Sequence, residues 1–267
     1  MPETPPEPDD DRAADTLTCD SWLGGQLTLA QPRRGHRVGS DAALLAAAVD
    51  LAGGRLVDAG AGVGAVGLAI LIRSERGVAD LVEIDPKLAR IAAGNAARSG
   101  LEERVRVVEA DIFNARARRA AGLADEAADL VVTNPPFFDP GAVRISPDAG
   151  KARAHVFAND AGGAPLVGWI RACLALLKPG GRFALIHRPD ALAAILTAAE
   201  NRLGSLALVP VHPRAGVSAH RLLVSGVKGS KAPLRIGPAL VLHEADGRPT
   251  AESDAIHRGE RLVAWGE

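Results

Sequence analysis

From residue 55 onward the chain alternates short apolar runs of strand character with helix-length amphipathic segments, and few architectures accommodate that rhythm. The strand-like runs are RLVDA (55–59), DLVEI (80–84), RVRVVEA (104–110), DLVVT (129–133), RFALIH (182–187) and LALVP (206–210). A helix is predicted over Val63–Arg73. A second has Asp85 as N-cap and Pro86 at its first position, and stops near Gly100. Leu166, Ile170, Cys173, Leu174 and Leu177 share a helical face before KPGG turns the chain into RFALIH. Leu192, Ile195, Leu196 and Leu203 are read as the inward side of the next helix. Alternation of this kind predicts βαβ units and a parallel, doubly wound sheet, with ligand bound beyond the carboxyl ends of its strands. Upstream lie a short strand at Gln26–Ala30, the basic loop QPRRGHRVGSD (31–41) and a small helix that Ser40 is expected to cap, with Leu44, Leu45, Ala48 and Val49 facing in. Segments 112–128 and 138–162 read as long irregular connections, which in such sheets tend to lie at the site.

At 267 residues, 47% apolar and 24% charged, this is an ordinary globular composition, read as one α/β domain over residues 19–267. No stretch reaches the ~18–20 apolar residues of a membrane span. The opening MPETPPEPDDDRAADT is acidic and Pro-rich, unlike a secretory signal or transit peptide, and residues 1–18 are expected to be a disordered tail. Two cysteines, Cys19 and Cys173, support neither a disulfide framework nor a four-Cys zinc site, so a cytoplasmic, metal-free protein is expected. The net charge of −1 hides a tail at −5 and a remainder at +4. Aromatics are only 3% of the chain, so any aromatic within a motif stands out.

The first strand ends LVDAGAGVGAVG. Its glycines let the backbone turn sharply and approach a ligand closely. Gly62, Gly64 and Gly67 fit G-x-G-x-x-G with Glu83 about 20 residues on, as a dinucleotide site has it. Asp58, however, sits just before the glycines, where it would repel a pyrophosphate and attract a cofactor carrying an ammonium and a sulfonium. S-adenosylmethionine (SAM) is such a cofactor. Glu83, ending the second strand, can accept from ribose hydroxyls, and Asp111, after the third, from an adenine amino group.

The fourth strand ends in Asn134-Pro135-Pro136-Phe137. Two prolines fix φ and remove two N–H donors, leaving carbonyls to accept. The Asn134 side-chain oxygen beside the Pro135 carbonyl makes two acceptors for one planar –NH2 group, and Phe137 offers a face for stacking.

DAGAGVG, VEID, ADIF and NPPF, in this order, resemble the motifs of class I SAM-dependent methyltransferases over roughly residues 37–190. The tetrad resembles that of the branch that methylates exocyclic amines. RVGSDAALL, NPPFFDP, SPDAGKARAH, LKPGGRFALIHRP, PVHPRAG and LVLHEADG resemble bacterial tRNA(Val) adenine-N6-methyltransferases of alphaproteobacterial type, which modify the adenosine 3′ of the anticodon. Phe137 stands where Tyr is commoner, and DAGAG where D-x-G-C-G is. The resemblance implies a Rossmann-like, seven-stranded sheet with a short N-terminal extension. It assigns Asn134 and Pro135 to the target amine and Phe137 to stacking on the base. To SAM it assigns Ser40, Asp58, Ala59, Gly60, Gly62, Gly64, Glu83, Asp111 and Asn134, with Gly39 and Ser40 closing over the methionine end.

A tRNA partner needs cations for its phosphates. Residues 201–243 carry Arg202, Arg214, Arg221, Lys228, Lys231 and Arg235 and no acid, and the 31–41 loop adds Arg33, Arg34 and Arg37. His155, His212 and His220 are scattered and expected to have no catalytic role. The rival readings are guanine-N2 methylation of rRNA and glutamine-N5 methylation of protein, whose enzymes carry a helical domain before the glycine loop. Further off are a dinucleotide-binding oxidoreductase and a SAM-binding RNA chaperone without catalysis.

Overall fold

A computed structural model describes residues 17–34, 37–135 and 165–266. Its centre is a nine-stranded sheet built from β3 (Gly54–Ala59), β4 (Gly77–Glu83), β5 (Val105–Glu109), β6 (Ala128–Thr133), β7 (Leu177–His187), β8 (Leu203–Arg214), β9 (Arg221–Lys228), β10 (Arg235–Ile236) and β11 (Leu240–His243). The order is β10-β8-β9-β7-β6-β3-β4-β5, with β11 also on β8. Only β9 runs antiparallel to its neighbours. The seven strands from β8 to β5 form the expected doubly wound sheet. The two extra strands lie on the outer edge of β8, where β10 pairs at Ala207–Leu208 and β11 at Val211–Arg214. Neither was legible as a strand, because β10 is two residues long and β11 only four.

Period-two burial sorts each strand between two helical layers. Leu56, Leu81, Leu130, Val132, Ala184 and Ile186 face helices α1 (Ser40–Ala47), α2 (Ala65–Arg73) and α3 (Pro86–Arg98). Val57, Val82, Val131, Phe183 and Leu185 face α5 (Pro165–Leu176) and α6 (Leu192–Ala199). Helix α4 (Ala115–Ala120) follows β5, so 112–128 is not wholly irregular, and α7 (Ala251–His257) caps the α1 side. The segment 138–162 lies outside the described residues.

A hairpin of β1 (Leu17–Trp22) and β2 (Leu27–Pro32) covers α3. Leu17 and Thr18, expected to belong to the tail, instead pair in a strand with Pro32 and Gln31. Strand β1 escaped the reading because its burial alternates only between exposed and half-buried, leaving no apolar stripe. The cap of α1 is Gly39, with Ser40 as the first helical residue. Asp85 does cap α3, accepting from the Lys87 and Leu88 amides. Leu177 and KPGG belong to β7, whose register shifts against β6 between Ala128 and Leu130. In α6 only Ile195 of the expected residues is fully inside, with Leu196 exposed, and Leu203 opens β8.

Asn95 joins hairpin, helix and sheet. It is fully buried on α3; its Oδ1 accepts the Ala30 amide at 2.8 Å, and its Nδ2 donates to the carbonyls of Ala30 and Val63, each at 2.9 Å. Ala30 is in β2 and Val63 in the glycine turn, so one amide ties the hairpin to the top of β3. Asn95→Ala would leave these backbone groups buried without partners and is expected to cost about 3 kcal/mol. Urea unfolding should show it, with Asn95→Ala well below a surface control such as Arg90→Ala.

Candidate active site

The carboxyl ends of β5, β4, β3, β6 and β7 form a row, and the candidate residues lie along it in that order. Asp111 follows β5, Glu83 ends β4, the glycine turn follows β3, and Asn134 and Pro135 follow β6. With strands spaced ~4.8 Å apart, the row from β5 to β6 spans roughly 14 Å.

The turn is wired internally. The amides of Gly60 and Ala61 both donate to the Val82 carbonyl, at 2.9 and 3.0 Å, and the Gly64 amide donates to the Ala61 carbonyl at 2.8 Å. The Gly62 amide donates to Glu83 Oε2 at 2.8 Å. Gly60, Gly62 and Gly64 all have positive φ, which other residues adopt at a cost. A Cβ on Gly62 would meet open space, so this face of the turn is available to a ligand. Gly67 is needed for a different reason: a Cβ there would collide with Leu81 of β4, so helix and sheet approach only because it is absent.

Two carboxylates lie beneath this turn. Asp58 is only 2% exposed and accepts the Gly67 amide at 2.8 Å, so it caps the first turn of α2 from the strand. It sits behind the turn rather than on its open face. Burial pushes its carboxyl up to about 7, opposed by the Gly67 bond and aided by the neighbouring Glu83 charge. Burial also raises Glu83, against the amides of Asp85, Gly62 and Ile84 that it accepts. Asp111 is half-buried and accepts the Phe113 amide at 2.9 Å.

Thr133 of β6 lies beside Ala59 of β3 and donates to its carbonyl at 2.8 Å, so Asn134 emerges next to Gly60. Asn134 is half-buried and Pro135 buried. Pro136, Phe137 and His155 lie outside the described residues. Ser40 and Gly39 are exposed, and the neighbouring Asp41 pairs with Arg221 at 2.8 Å. Three residues went unread in the sequence: Trp169, Phe113 and His187. Trp169 Nε1 donates to Thr133 Oγ1 at 2.9 Å, and its ring meets Phe113 edge-on. Both are aromatics in a chain that spends few, which was the available signal. His187 ends β7, and burial lowers its basicity.

The cations expected to form one RNA-binding run do not lie together. Arg214 ends β8 at the same end of the sheet as Asn134 and is exposed. Arg202, Lys228 and Lys231 are at the opposite end: Lys228 ends β9 across from Leu203, and Lys231 neighbours Gly204. Lys228 is also committed to Glu126 and to the carbonyls of Leu174 and Leu177. Arg235 is mid-sheet on the outer edge, Arg221 is held by Asp41, and Arg37 by Asp20. Antiparallel β9 reverses the chain, so neighbours in sequence are sent to opposite ends. Arg33 and Arg34 are exposed just past β2. His212 and His220 bond the carbonyls of Val217 and Val211. No helix among the described residues is long and apolar enough to cross a membrane.

Residues 35–149 match the methyltransferase small domain family. A tRNA1(Val) (adenine(37)-N6)-methyltransferase of Aeromonas hydrophila is 33% identical over 234 residues, 83% of this chain and 89% of that protein. The chain belongs to this methyltransferase family. A Porphyromonas gingivalis methyltransferase of the same name is 32% identical over 239 residues, covering 86% of this chain and 91% of its own. A crystal structure from Agrobacterium tumefaciens, described as a predicted O-methyltransferase, superposes with a TM-score of 0.68 at 33% identity, covering 84% of this chain and 98% of that one.

The Asp58 carboxyl carries a signed prediction for this methyltransferase. It titrates near 3.8 when unfolded and near 7 when folded. Between those values the folded state keeps a proton that the unfolded state has lost. Its contribution to stability is therefore full below pH 3.8 and is lost as pH rises through about 7. Asp58→Asn keeps an acceptor for Gly67 and removes the titration. Urea unfolding between about pH 5 and pH 8 should show wild-type stability falling more steeply than that of the variant; parallel profiles would contradict the buried proton.

Proposed function

We propose that the chain transfers the methyl group of SAM to N6 of an adenosine beside the anticodon of valine tRNA. The observation that carries this reading is the placement of Asn134 and Pro135 beside the glycine turn at Gly60, within a methyltransferase sheet.

The donor set suits SAM better than a dinucleotide. The amides of Gly60, Ala61, Gly62 and Gly64 are consumed within the protein, so they are not free to cradle a pyrophosphate. Two carboxyls pushed up by burial lie beneath the turn, an environment that gains from a nearby positive charge. When bound, SAM supplies an electrophilic methyl on a sulfonium. In this reading Glu83, with lone pairs beyond those used by its three amides, accepts from the ribose. Asp111 accepts from the adenine amine, while Gly60, Gly62 and Ala59 line the turn and Gly64 holds its shape. Asp58 acts through the turn, by holding the start of α2, not by touching the cofactor. Gly39 and Ser40 close the methionine end.

Asn134 Oδ1 and the Pro135 carbonyl accept the two hydrogens of the target amine, and Phe137 stacks on the base. An aromatic amine has its lone pair delocalised into the ring. Two acceptors fixed on its hydrogens favour pyramidal nitrogen and disperse the positive charge that grows there, so positioning and electrostatics carry the rate. The target base must leave its stack, which is cheaper in an anticodon loop than in a duplex. Arg214, exposed at the site end, and Arg33 and Arg34, exposed just past β2, hold the phosphates. A tRNA substrate places the protein in the cytoplasm.

The deciding experiment incubates the protein with labelled SAM and RNA from a strain lacking the gene, then identifies the nucleoside by mass spectrometry. N6-methyladenosine is expected; N2-methylguanosine would move the target, and label in protein alone would overturn the RNA reading. Asn134→Ala should lower kcat by roughly 10²–10³-fold, with SAM affinity within a few-fold on calorimetry. For the RNA, Arg33→Ala with Arg214→Ala should weaken tRNA binding and flatten its salt slope by about 1–2 units. Arg202→Ala with Lys231→Ala, at the far end, should leave that slope unchanged. Equal slopes in the two pairs would overturn the rim assignment.

A further inference from the structure

One indole side chain touches three of the segments that make up the site. Trp169, on the second turn of α5, is 8% exposed. Its Nε1 donates to Thr133 Oγ1 at 2.9 Å, and the same hydroxyl donates to the Ala59 carbonyl at 2.8 Å. Its six-membered ring lies against Gly60 so closely that a Cβ there would be 3.0 Å from Cζ2 and 3.2 Å from Cη2. Its ring also meets that of Phe113 at 5.7 Å between centroids and 72° between planes. Phe113 in turn donates its amide to Asp111.

The chain of bonds therefore runs from indole to hydroxyl to carbonyl. It spans the residue before Asn134 and the residue before Gly60. A threonine hydroxyl has one hydrogen, and here it points at Ala59, so only an outside donor can use its remaining lone pairs in a buried place. Trp169 is that donor. The β6–β3 ladder alone sets the strand spacing, but the ladder ends at Thr133 and Ala59. Beyond it the two strands leave the sheet, one as the amine-binding tetrad and one as the glycine turn. The last cross-link before they part is a side-chain one, and the indole holds it while packing under the turn itself.

We propose that Trp169 is a positioning residue for methyl transfer, fixing through Thr133 the separation between Asn134 and the turn at Gly60. The proposal rests on the reading that the amine sits at Asn134 and the methyl donor over the turn. Transfer requires reacting atoms near van der Waals contact and in line, so a displacement on the order of 1 Å costs about 10²-fold in rate. Binding of either substrate alone does not need that separation. The effect should therefore fall on kcat.

Trp169→Phe removes the donor together with the distal ring that packs beneath Gly60, so the Thr133 variants isolate the hydrogen bonds. Thr133→Val keeps the shape and removes both bonds, whereas Thr133→Ser keeps both. Trp169→Phe and Thr133→Val are each expected to lower kcat about tenfold or more, with KM for tRNA and the SAM dissociation constant within about threefold. The double variant should be no worse than the poorer single one, since both remove the same link. Thr133→Ser should restore near-normal turnover. A kcat within twofold of wild type in either folded variant overturns the proposal. So does a loss confined to SAM affinity, which would make Trp169 part of the cofactor pocket only. If Trp169→Phe fails to fold by circular dichroism, Thr133→Val against Thr133→Ser decides. Amide hydrogen exchange supplies a second readout that needs no turnover. In both variants exchange should rise together in peptides covering 57–64 and 130–135, with α3 unchanged. A rise in only one of them, or in neither, overturns the link even if the RNA target proves different, whereas a wild type that methylates no RNA counts against the proposed function alone.

Discussion

The bond from the Gly67 amide to the buried Asp58 carboxyl is the constraint on which the candidate site rests. It joins the end of a central strand to the first turn of the helix that follows, across a turn of only five residues (60–64). A strand-borne carboxylate replaces the usual side-chain cap, because the N-cap position is Gly64, which has no side chain to offer. The helix can approach close enough for this only because residue 67 is also glycine. Strand, turn and helix start are thus one unit, and the positions of Gly60 and Gly62 follow from it. The cost is a carboxyl in a dry place, and burial holds its proton to about pH 7.

That unit is held from both faces of the sheet by groups with no direct part in the chemistry. On one side Asn95 reaches from α3 to the Val63 carbonyl and to β2. On the other, Trp169 reaches from α5 to Thr133 and packs under Gly60. Both are buried polar donors with their partners in place, an arrangement that rigidifies more than apolar contact of the same size, because slippage would leave backbone groups unpaired. Four of the turn's five amides, those of Gly60, Ala61, Gly62 and Gly64, are spent on Val82, Glu83 and Ala61. What remains open is a rigid surface whose electrostatic character comes from carboxyls.

The central sheet was readable because its strands are apolar runs flanked by helices with clear periodicity, and because Asp58, Glu83, Asp111 and Asn134 each lie at or just past the end of a strand. The same local logic failed where position depends on topology. Arg214 and Lys228 are close in sequence and lie at opposite ends of the sheet, since a single antiparallel strand intervenes. Arg221 reads as a free cation until the fold brings Asp41 to it from 180 residues away. Asp58 reads as a ligand for a cation, but local sequence cannot say whether a strand-end carboxylate faces out or back toward a helix. Ser40 reads as a cap because Ser is a good one, yet the helix begins one residue earlier, with Gly39 as its extended N-cap. Trp169 has no motif around it and is defined by what crosses above it.

The two cysteines differ in a way that makes the protein its own reporter. Cys173 is buried on α5, and burial beneath β3 pushes its thiol up to about 12, so at neutral pH it offers no thiolate to an alkylating reagent. Cys19 is exposed on β1, opposite Ala30, the residue that Asn95 ties to the glycine turn. A maleimide dye added to the unaltered chain therefore attaches at one position, on the hairpin that leads into Arg33 and Arg34. Occupancy of that rim by a polyanion becomes visible as a change in the dye's anisotropy, without the introduction or removal of a single residue.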